Sequence, residues 1–427
     1  MNLSNANDSG ATPWAKPGRN LMILTLLLAF PSTGFVQKYA GLAGVAAYVV
    51  LVAACLVLTA KFGARFAPVV ERHFRVLAGV FLAGCAFLFS ILYPIENAKG
   101  FGKSSDRDDG LNRAASRMVE GITPYYQSDQ HAGPLSVLPG SVILATPFVE
   151  LGNSAYQNLF WIAAFLFAAC RTFKNNTLAL CLAAVPFAIS PAALYEFISG
   201  GDVFANGIFV ALFFLIALAS WPAAPGASKW HGWAACVLLG IGLASRPNFL
   251  LLLPLFGSVL WQKVGLRKAV AATGLVALVA AAITLPFYLN DPAGFTPLLA
   301  KQKLAIVDHA LPWASNAIIG MTATVGFLGA IVLLRHPETG LNRAFFRWCA
   351  LVTLCPMVCA VVLFSVINGH LDFGFMSDRF GMMYVFFALL GWGDQMLGGG
   401  PALELSQQPV KGGALSMRAH AKGAGEV

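Results

Sequence analysis

The chain reads as an all-α, polytopic helical membrane protein of about twelve transmembrane helices, with a juxtamembrane helix in its first long external loop. Three observations predict this. Hydrophobic residues make up 58% of the 427 and charged residues only 11%, against about 25% charged in a soluble globular chain. So few charges cannot cover a water-facing surface, and the remaining surface must face lipid. The apolar residues come in continuous runs of Leu, Ala, Phe and Val rather than in period-two alternation, which selects helices over an outer-membrane barrel. The basic residues lie between these runs, where they set topology, so the net charge of +9 does not point to a nucleic-acid partner.

One crossing takes about 20 helical residues. The apolar runs lie at 21–37, 41–60, 76–95, 156–170, 177–196, 203–221, 231–244, 248–262, 269–289, 316–334, 348–368 and 379–397. They form a single membrane domain, 21–397, between two Gly-, Pro-, Ala- and Ser-rich tails, 1–20 and 398–427, expected to be disordered and cytoplasmic. The polar stretch before the first run argues against a cleavable signal peptide. The segment 135–151, broken by Pro139 and Pro147, reads as a re-entrant or surface helix. The runs 231–244 and 248–262 are short on both sides of Ser245-Arg246-Pro247 and read as a hairpin or a broken helix. With the N-terminus inside, the cytoplasmic segments carry 18 of the 28 basic residues against six acids, and the outside carries 10 basic and 13 acidic residues. This asymmetry fits an even number of crossings with both termini in the cytoplasm of a plasma (inner) membrane. All eight cysteines fall within or at the ends of apolar runs, so no structural disulfide is expected. Cys355 and Cys359, one helical turn apart without a His or acid beside them, read as an apolar pair rather than a metal site. No internal repeat is evident, which counts against a transporter built of two related halves.

Two external loops stand out, 96–135 and 290–315, the latter carrying Asp291, Lys301, Lys303, Asp308 and His309. The first opens with Ser104-Ser105-Asp106-Arg107-Asp108-Asp109-Gly110 and continues through Glu120-Gly121-Ile122-Thr123-Pro124-Tyr125-Tyr126 to Pro134-Leu135-Ser136-Val137-Leu138-Pro139-Gly140. Three carboxylates within four residues repel one another, which raises the proton affinity of one of them and suits it to act as a base. Leu111, Ala114, Ala115 and Met118 recur at helical spacing, predicting an amphipathic helix on the membrane surface. The carboxylates then sit at its N-terminus, where the helix dipole lowers their pKa. The two effects oppose, and sequence does not rank them.

An acidic cluster after an outward-going helix, a short helix, a Gly-x-x-Pro-Tyr-Tyr turn and a Leu-Pro-Gly run together resemble the first external loop of the GT-C glycosyltransferases. Ser199-Gly200-Gly201-Asp202-Val203-Phe204-Ala205-Asn206 and Gly242-Leu243-Ala244-Ser245-Arg246-Pro247-Asn248-Phe249 add to the likeness, the second resembling the basic-Pro break of the bacterial mannosyltransferase-like branches. The resemblance covers about residues 76–290, with Asp108-Asp109 standing where the family commonly has Asp-Glu. It implies a membrane enzyme that moves a hexose or mannose-like sugar from a polyprenyl-phosphate carrier to an envelope glycan, lipid or protein acceptor, at an active site on the periplasmic or external face.

On that reading Asp108, Asp106 or Asp109 is the base, with Asp108 favoured, and Arg246 is the leading contact for the lipid phosphate, because a charge interrupting an apolar stretch is costly to insert. Arg107, Lys301, Lys303, His309 and Arg379 are further cationic candidates; Tyr125 and Tyr126 could stack on sugar faces; Asp202 and Asn206 open an outward-facing turn. Each has a plain structural alternative: a solvated helix cap for the Asp cluster, the exposed tip of a hairpin for Arg246, helix caps for Asp202 with Asn206 and for Asp378-Arg379. No cofactor is required; the acidic loop could hold Mg²⁺ or Mn²⁺, although Arg107 within it argues against this. The histidines of the external loops are scattered singly, so no metal ligand set is assigned. The rival functions are a transporter or flippase, which needs ionisable residues deep within several spans, and a non-catalytic component of envelope assembly.

Overall fold

In the computed structural model every regular element among the described residues is helical. The structure describes residues 17–98, 107–126, 135–221, 230–299, 308, 311–374, 380–393 and 396, save the side chains of residues 17, 64 and 107. The expected tails therefore lie almost wholly outside the described residues. The α-helices are α1 (Pro17–Asn97), α2 (Arg107–Val119), α3 (Pro139–Glu150), α4 (Gln157–Phe173), α5 (Asn176–Ile189), α6 (Pro191–Ile198), α7 (Asp202–Ala219), α8 (Trp230–Leu243), α9 (Leu253–Val264), α10 (Leu266–Asn290), α11 (Ala314–Leu334), α12 (Leu341–Asn368) and α13 (Met382–Trp392). Each apolar run of the sequence falls on one or two of them.

α1 is an 81-residue run that would measure about 120 Å if straight, several times the ~30 Å acyl core. Two breaks divide it. Gly41 takes φ 65° and ψ −169°, which glycine reaches without Cβ strain, and His73 leaves the helical region at φ −106° and ψ 15°. Both lie close to boundaries between the first three apolar runs. Among the described residues six stretches are long and apolar enough to cross a membrane: Gly18–Gly63, Arg65–Asn97, α7, α10, α11 and α12. They number seven if α5 and α6, bent by 93° at Ser190, form one span. The remainder of the expected twelve are short helices, such as α4, α8, α9 and α13 with 17, 14, 12 and 11 residues, or share the Gly18–Gly63 stretch. Helices of that length reach only ~17–26 Å.

α7 is the centre of the bundle, 89% buried along its span, whereas the two stretches of α1 are 17% and 11% buried and α10 is 17% buried. It packs against α4, α8 and α13. A Cβ at Gly207 would collide with the Met382 carbonyl, so this glycine sets the close crossing of α7 and α13, the small-residue packing that membrane helices use where no water drives them together. Phenylalanines fill the remaining space, with ring centroids 5.6 Å apart for Phe204–Phe386 and 5.1 Å for Phe214–Phe345. The outer helices turn Val50, Val80, Phe87, Val270, Leu278 and Phe327 outward, as a lipid-facing surface requires.

A separate small core caps one end of the bundle. Leu111, Ala114 and Ala115 of α2 pack with Tyr125, Leu135, Val137, Leu138, Val142, Ala145 and Phe295. The expected amphipathic helix is present, but its apolar face lies on protein rather than on a membrane surface, because α3 and the 135–138 strap supply the apolar partners. α3 has 12 residues, about 18 Å of helix, too short to cross. Its start docks on the end of α8: Leu138 N–H donates to the Ser245 carbonyl (2.9 Å) and Gly140 N–H to the Ala244 carbonyl (2.7 Å). Amides at one helix start thus satisfy carbonyls at another helix end. A Cβ at Gly140 would run into the Ile241 and Ala244 carbonyls, so glycine permits the junction. The small cap and the chain break at Arg246 are thereby fixed to each other.

Candidate active site

The site is built around two buried carboxylates. Asp108 sits in the first turn of α2 and is 1% exposed. The Tyr93 hydroxyl, near the end of α1, donates to its Oδ2 at 2.6 Å and accepts from Asn153 Nδ2, also at 2.6 Å. Asn153 in turn caps the short helix Ser154–Tyr156 through its Oδ1 and the Ala155 amide, at 2.8 Å. Asn112 Oδ1 accepts from the Ser154 amide (2.7 Å), and the Ser154 hydroxyl donates to the Asp108 carbonyl (3.3 Å). Two helix starts, α2 and α4, are therefore locked together around one carboxyl group. Asp108 Oδ1 has no hydrogen-bond partner among the described residues.

Burial pushes the Asp108 carboxyl up to about 6, and the Asp109 charge adds to the rise; the Tyr93 hydrogen bond and the backbone amides of Asp108 and Asp109 pull the other way. Desolvation, which sequence could not weigh, is the largest of these effects. Asp109, one residue on, is exposed.

The Ser199–Asp202 turn covers Asp108. Gly200 has φ +68°, and a Cβ there would lie 2.7 Å from Ala155 Cβ and 3.2 Å from Asp108 Cβ, so only glycine fits both the dihedral and the space. Asn158 Nδ2 lies 3.4 Å from the Glu196, Phe197 and Gly201 carbonyls and holds the turn from the α4 side.

The same turn delivers the second carboxylate. Asp202, the first residue of α7, is 3% exposed and pairs with Arg246, 5% exposed. Asp202 Oδ2 also accepts from Asn206 Nδ2 (3.1 Å), Asn206 Oδ1 accepts from the Ser141 hydroxyl (3.2 Å), and Arg246 Nη1 reaches the Ser136 hydroxyl (3.4 Å). Arg246 is thus inside the protein, not at an exposed hairpin tip, and α3, α7 and α8 meet on it. Asp202 does not serve as a free cap; Gly201 occupies that position.

Of the residues singled out by sequence, the structure brings together Asp108, Asp202, Asn206 and Arg246. Tyr125 is buried with its ring against Phe287 and Phe295 and its hydroxyl 3.4 Å from the Val137 carbonyl; its faces are occupied by protein, and burial raises its pKa. Tyr126 is half-buried, with Arg113 4.4 Å from its ring centroid. Asp106, the Arg107 side chain, Lys301, Lys303, His309 and Arg379 lie outside the described residues. Sequence reading missed Tyr93, Gln157, Asn158 and two further buried acids, Glu96 and Glu196, and gave Asn153 of the Leu151-Gly152-Asn153 run no role. The Tyr195 hydroxyl donates to Glu96 at 3.1 Å. A signal existed, since Tyr93 with Glu96 and the Gln157-Asn158 pair place polar groups at the ends of strongly apolar runs, where they are expensive without a task. Among the described residues no three His, Cys, Asp or Glu side chains come together, and Asp202 is ion-paired with Arg246; the described residues do not present the oxygen set of a Mg²⁺ or Mn²⁺ site. No protein-family model matches the chain, and neither a curated protein nor a solved structure matches it.

Proposed function

We propose that the chain is a multi-pass membrane glycosyltransferase of the GT-C type, with about twelve crossings and both termini cytoplasmic in a plasma (inner) membrane. It moves a hexose or mannose-like sugar from a polyprenyl-phosphate carrier to a glycan, lipid or protein acceptor on the external face. The observation that carries this reading is Asp108: a desolvated carboxyl with a pKa of about 6, one oxygen held by Tyr93 and the other without a partner among the described residues.

In the transfer step the acceptor hydroxyl attacks the anomeric carbon while the bond from that carbon to the phosphate oxygen breaks. The acceptor's proton passes to Asp108 Oδ1, and the leaving lipid phosphate keeps the bonding electron pair. A base with its pKa near ambient pH is ionised yet accepts a proton readily. Tyr93 fixes the carboxylate plane, so the second oxygen is the one presented. Arg246, held on Asp202 at the end of the turn that packs on Asp108, would meet the negative charge that develops on phosphate. Asp202 already neutralises it, so a phosphate there competes with an internal carboxylate, which favours release of the carrier after transfer. Oδ1 is closed to solvent, so acceptor entry has to open the packing of the Ser199–Asp202 turn over α2.

Asp108, Asp202, Glu96, Glu196 and Arg246 cluster at helix ends on one side of the bundle. A transporter or flippase needs such groups distributed along a path through it, so this clustering favours an interfacial reaction. The test is lipid extraction from the purified chain followed by mass spectrometry, together with transfer assays on Asp108→Asn. Retained polyprenyl phosphate and lost turnover are expected; a variant with full transfer activity would overturn the role of Asp108.

A further inference from the structure

We infer that Gln157 is a specificity-determining residue of this site, reading hydroxyl groups of the sugar to be transferred; the inference rests on the glycosyltransferase reading. Gln157 is the first residue of α4 and fully buried, yet neither its amide oxygen nor its amide nitrogen has a partner among the described residues. A buried primary amide with both ends unpaired is rare in a folded chain, where such groups are almost always satisfied. Neither atom is explained by structural duty.

Its surroundings place it in the site. Three residues earlier, Ser154 is tied to Asp108 and Asn112. The next residue, Asn158, reaches the Gly201 carbonyl in the turn that covers Asp108. One helical turn further, Trp161 packs on Phe209 and Phe213 of α7. Residues four apart share a helix face, so Gln157 lies on the face turned toward the start of α7, where Asp202 and Asn206 stand. The other buried atoms of this region without a partner among the described residues are Asp108 Oδ1, Asn158 Oδ1, Trp161 Nε1, Ser199 Oγ, Ser245 Oγ and Arg246 Nε. They come from α2, α4, the Ser199–Asp202 turn and the Ser245-Arg246 break, and they mix donors with acceptors.

That mixture identifies the ligand chemistry. A phosphate offers only acceptors and would call for donors alone. Hydroxyl groups both donate and accept, and a glutamine amide can meet two neighbouring hydroxyls at once, giving a hydrogen bond to one and taking one from the other. A neutral polyhydroxyl ring fits, with Arg246 left for the phosphate. Sites built to hydrogen-bond a substrate hydroxyl discriminate strongly, because an analogue lacking it leaves buried polar groups unpaired.

The test uses the full chain purified in lipid nanodiscs, the native lipid extract analysed by mass spectrometry, and the variant Gln157→Leu, which keeps the side-chain volume and removes the amide. Wild type is expected to retain glycosylated polyprenyl phosphate together with bare carrier phosphate. In Gln157→Leu the ratio of glycosylated to bare carrier should fall about tenfold, the effect of one lost hydrogen-bonding side chain, while bare carrier is retained. An unchanged ratio overturns the inference and leaves the glycosyltransferase reading standing. Absence of any polyprenyl phosphate from wild type overturns that reading and the inference with it. Thermal unfolding guards against a trivial loss: removing an amide that the fold does not use should leave the midpoint unchanged or higher. A markedly lower midpoint would mean that the amide serves the fold, which also overturns the inference.

Discussion

Asp108 and Asp202 are equally buried aspartates in the first turns of neighbouring helices, α2 and α7, and they meet opposite surroundings. Asp202 faces a guanidinium, Asn206 and, through Asn206, Ser141. Asp108 faces a phenol and its neighbour's carboxylate, with no cation among the described residues that hydrogen-bonds to it. A buried carboxylate beside a cation is stabilised in its ionised form, and one beside neutral donors in a dry environment is pushed toward its neutral form. Burial alone therefore does not mark a base; the partner does. One carboxylate is ion-paired at a junction of three helices, and the other has neutral hydrogen-bond donors alone among its described partners.

Removing the ionisable group from the proposed base is expected to have the largest effect. Asp108→Asn should lower turnover by about 10²–10⁴-fold, the usual contribution of general-base catalysis. Stability should move the other way. The folded-state pKa of about 6 lies above the ordinary aspartate value of about 3.9, so the neutral carboxyl's contribution to stability is complete below that ordinary value and is lost as pH rises through 6. At pH 8 wild type pays for a desolvated charge that the amide lacks, and Asp108→Asn should be more stable by about 2–3 kcal/mol. The difference should shrink toward pH 4. Wild-type activity should rise across the same interval as stability falls. Thermal unfolding and transfer rates from pH 4 to 8 check both, and a variant that is less stable at pH 8 than at pH 4, relative to wild type, would contradict the assignment.

The other carboxylate should respond in the reverse sense. Arg246→Met strands a buried charge on Asp202 and is expected to cost about 3–5 kcal/mol, whereas exchanging both groups, as Asp202→Asn with Arg246→Met, should recover most of that loss. Recovery of stability without recovery of transfer would separate Arg246's contact with phosphate from its structural pairing. Equal loss in the single and double variants would mean the pair is not the unit that holds α3, α7 and α8 together.

The link between the two halves is the Ser199–Asp202 turn. Gly200→Ala forces a φ of +68° on an L side chain and drives a Cβ into Ala155 and toward Asp108. A loss of about 1–2 kcal/mol is expected from the dihedral alone, with transfer activity falling more than the thermal midpoint suggests, because the displaced group is the proposed base. Retained activity in a destabilised variant would uncouple the turn from the reaction.

Much of the scaffold was legible because a run of about 20 apolar residues has few fates. The breaks at Gly41 and His73, the bend at Ser190 and the short helices were harder, since they depend on what packs beside them. α2 was legible from Leu111, Ala114, Ala115 and Met118, and the same stripe held an unused signal: Asp108 stands three residues before Leu111 and seven before Ala115, on the buried side, while Asp109 lies well off it. The choice between neighbouring aspartates was therefore available in the helical angle. Partners were not. Tyr93 reaches Asp108 from another helix, Arg246 meets Asp202 from 44 residues away, and such pairings are set by how helix ends meet. Tyr125 shows the converse: an aromatic in an external loop suggested a sugar platform, and Phe287 and Phe295 from a distant stretch turned it into core.

The smallest and most specific expectation concerns Tyr93. Its hydrogen bond favours the ionised form of Asp108, and its oxygen also takes the Asn153 amide. Tyr93→Phe removes one donor and one acceptor and should cost about 1 kcal/mol of stability. The loss of a donor to the carboxylate raises the Asp108 pKa above 6, so the acid limb of the pH–rate profile should move to higher pH by roughly one unit. Near pH 8 the variant should keep most of its activity, while near pH 6 it should lose several-fold. A uniform loss at every pH would indicate displaced substrate rather than a retuned base. A limb that moved to lower pH would mean that the phenol stabilises the protonated acid, and the direction assigned to this contact would be reversed.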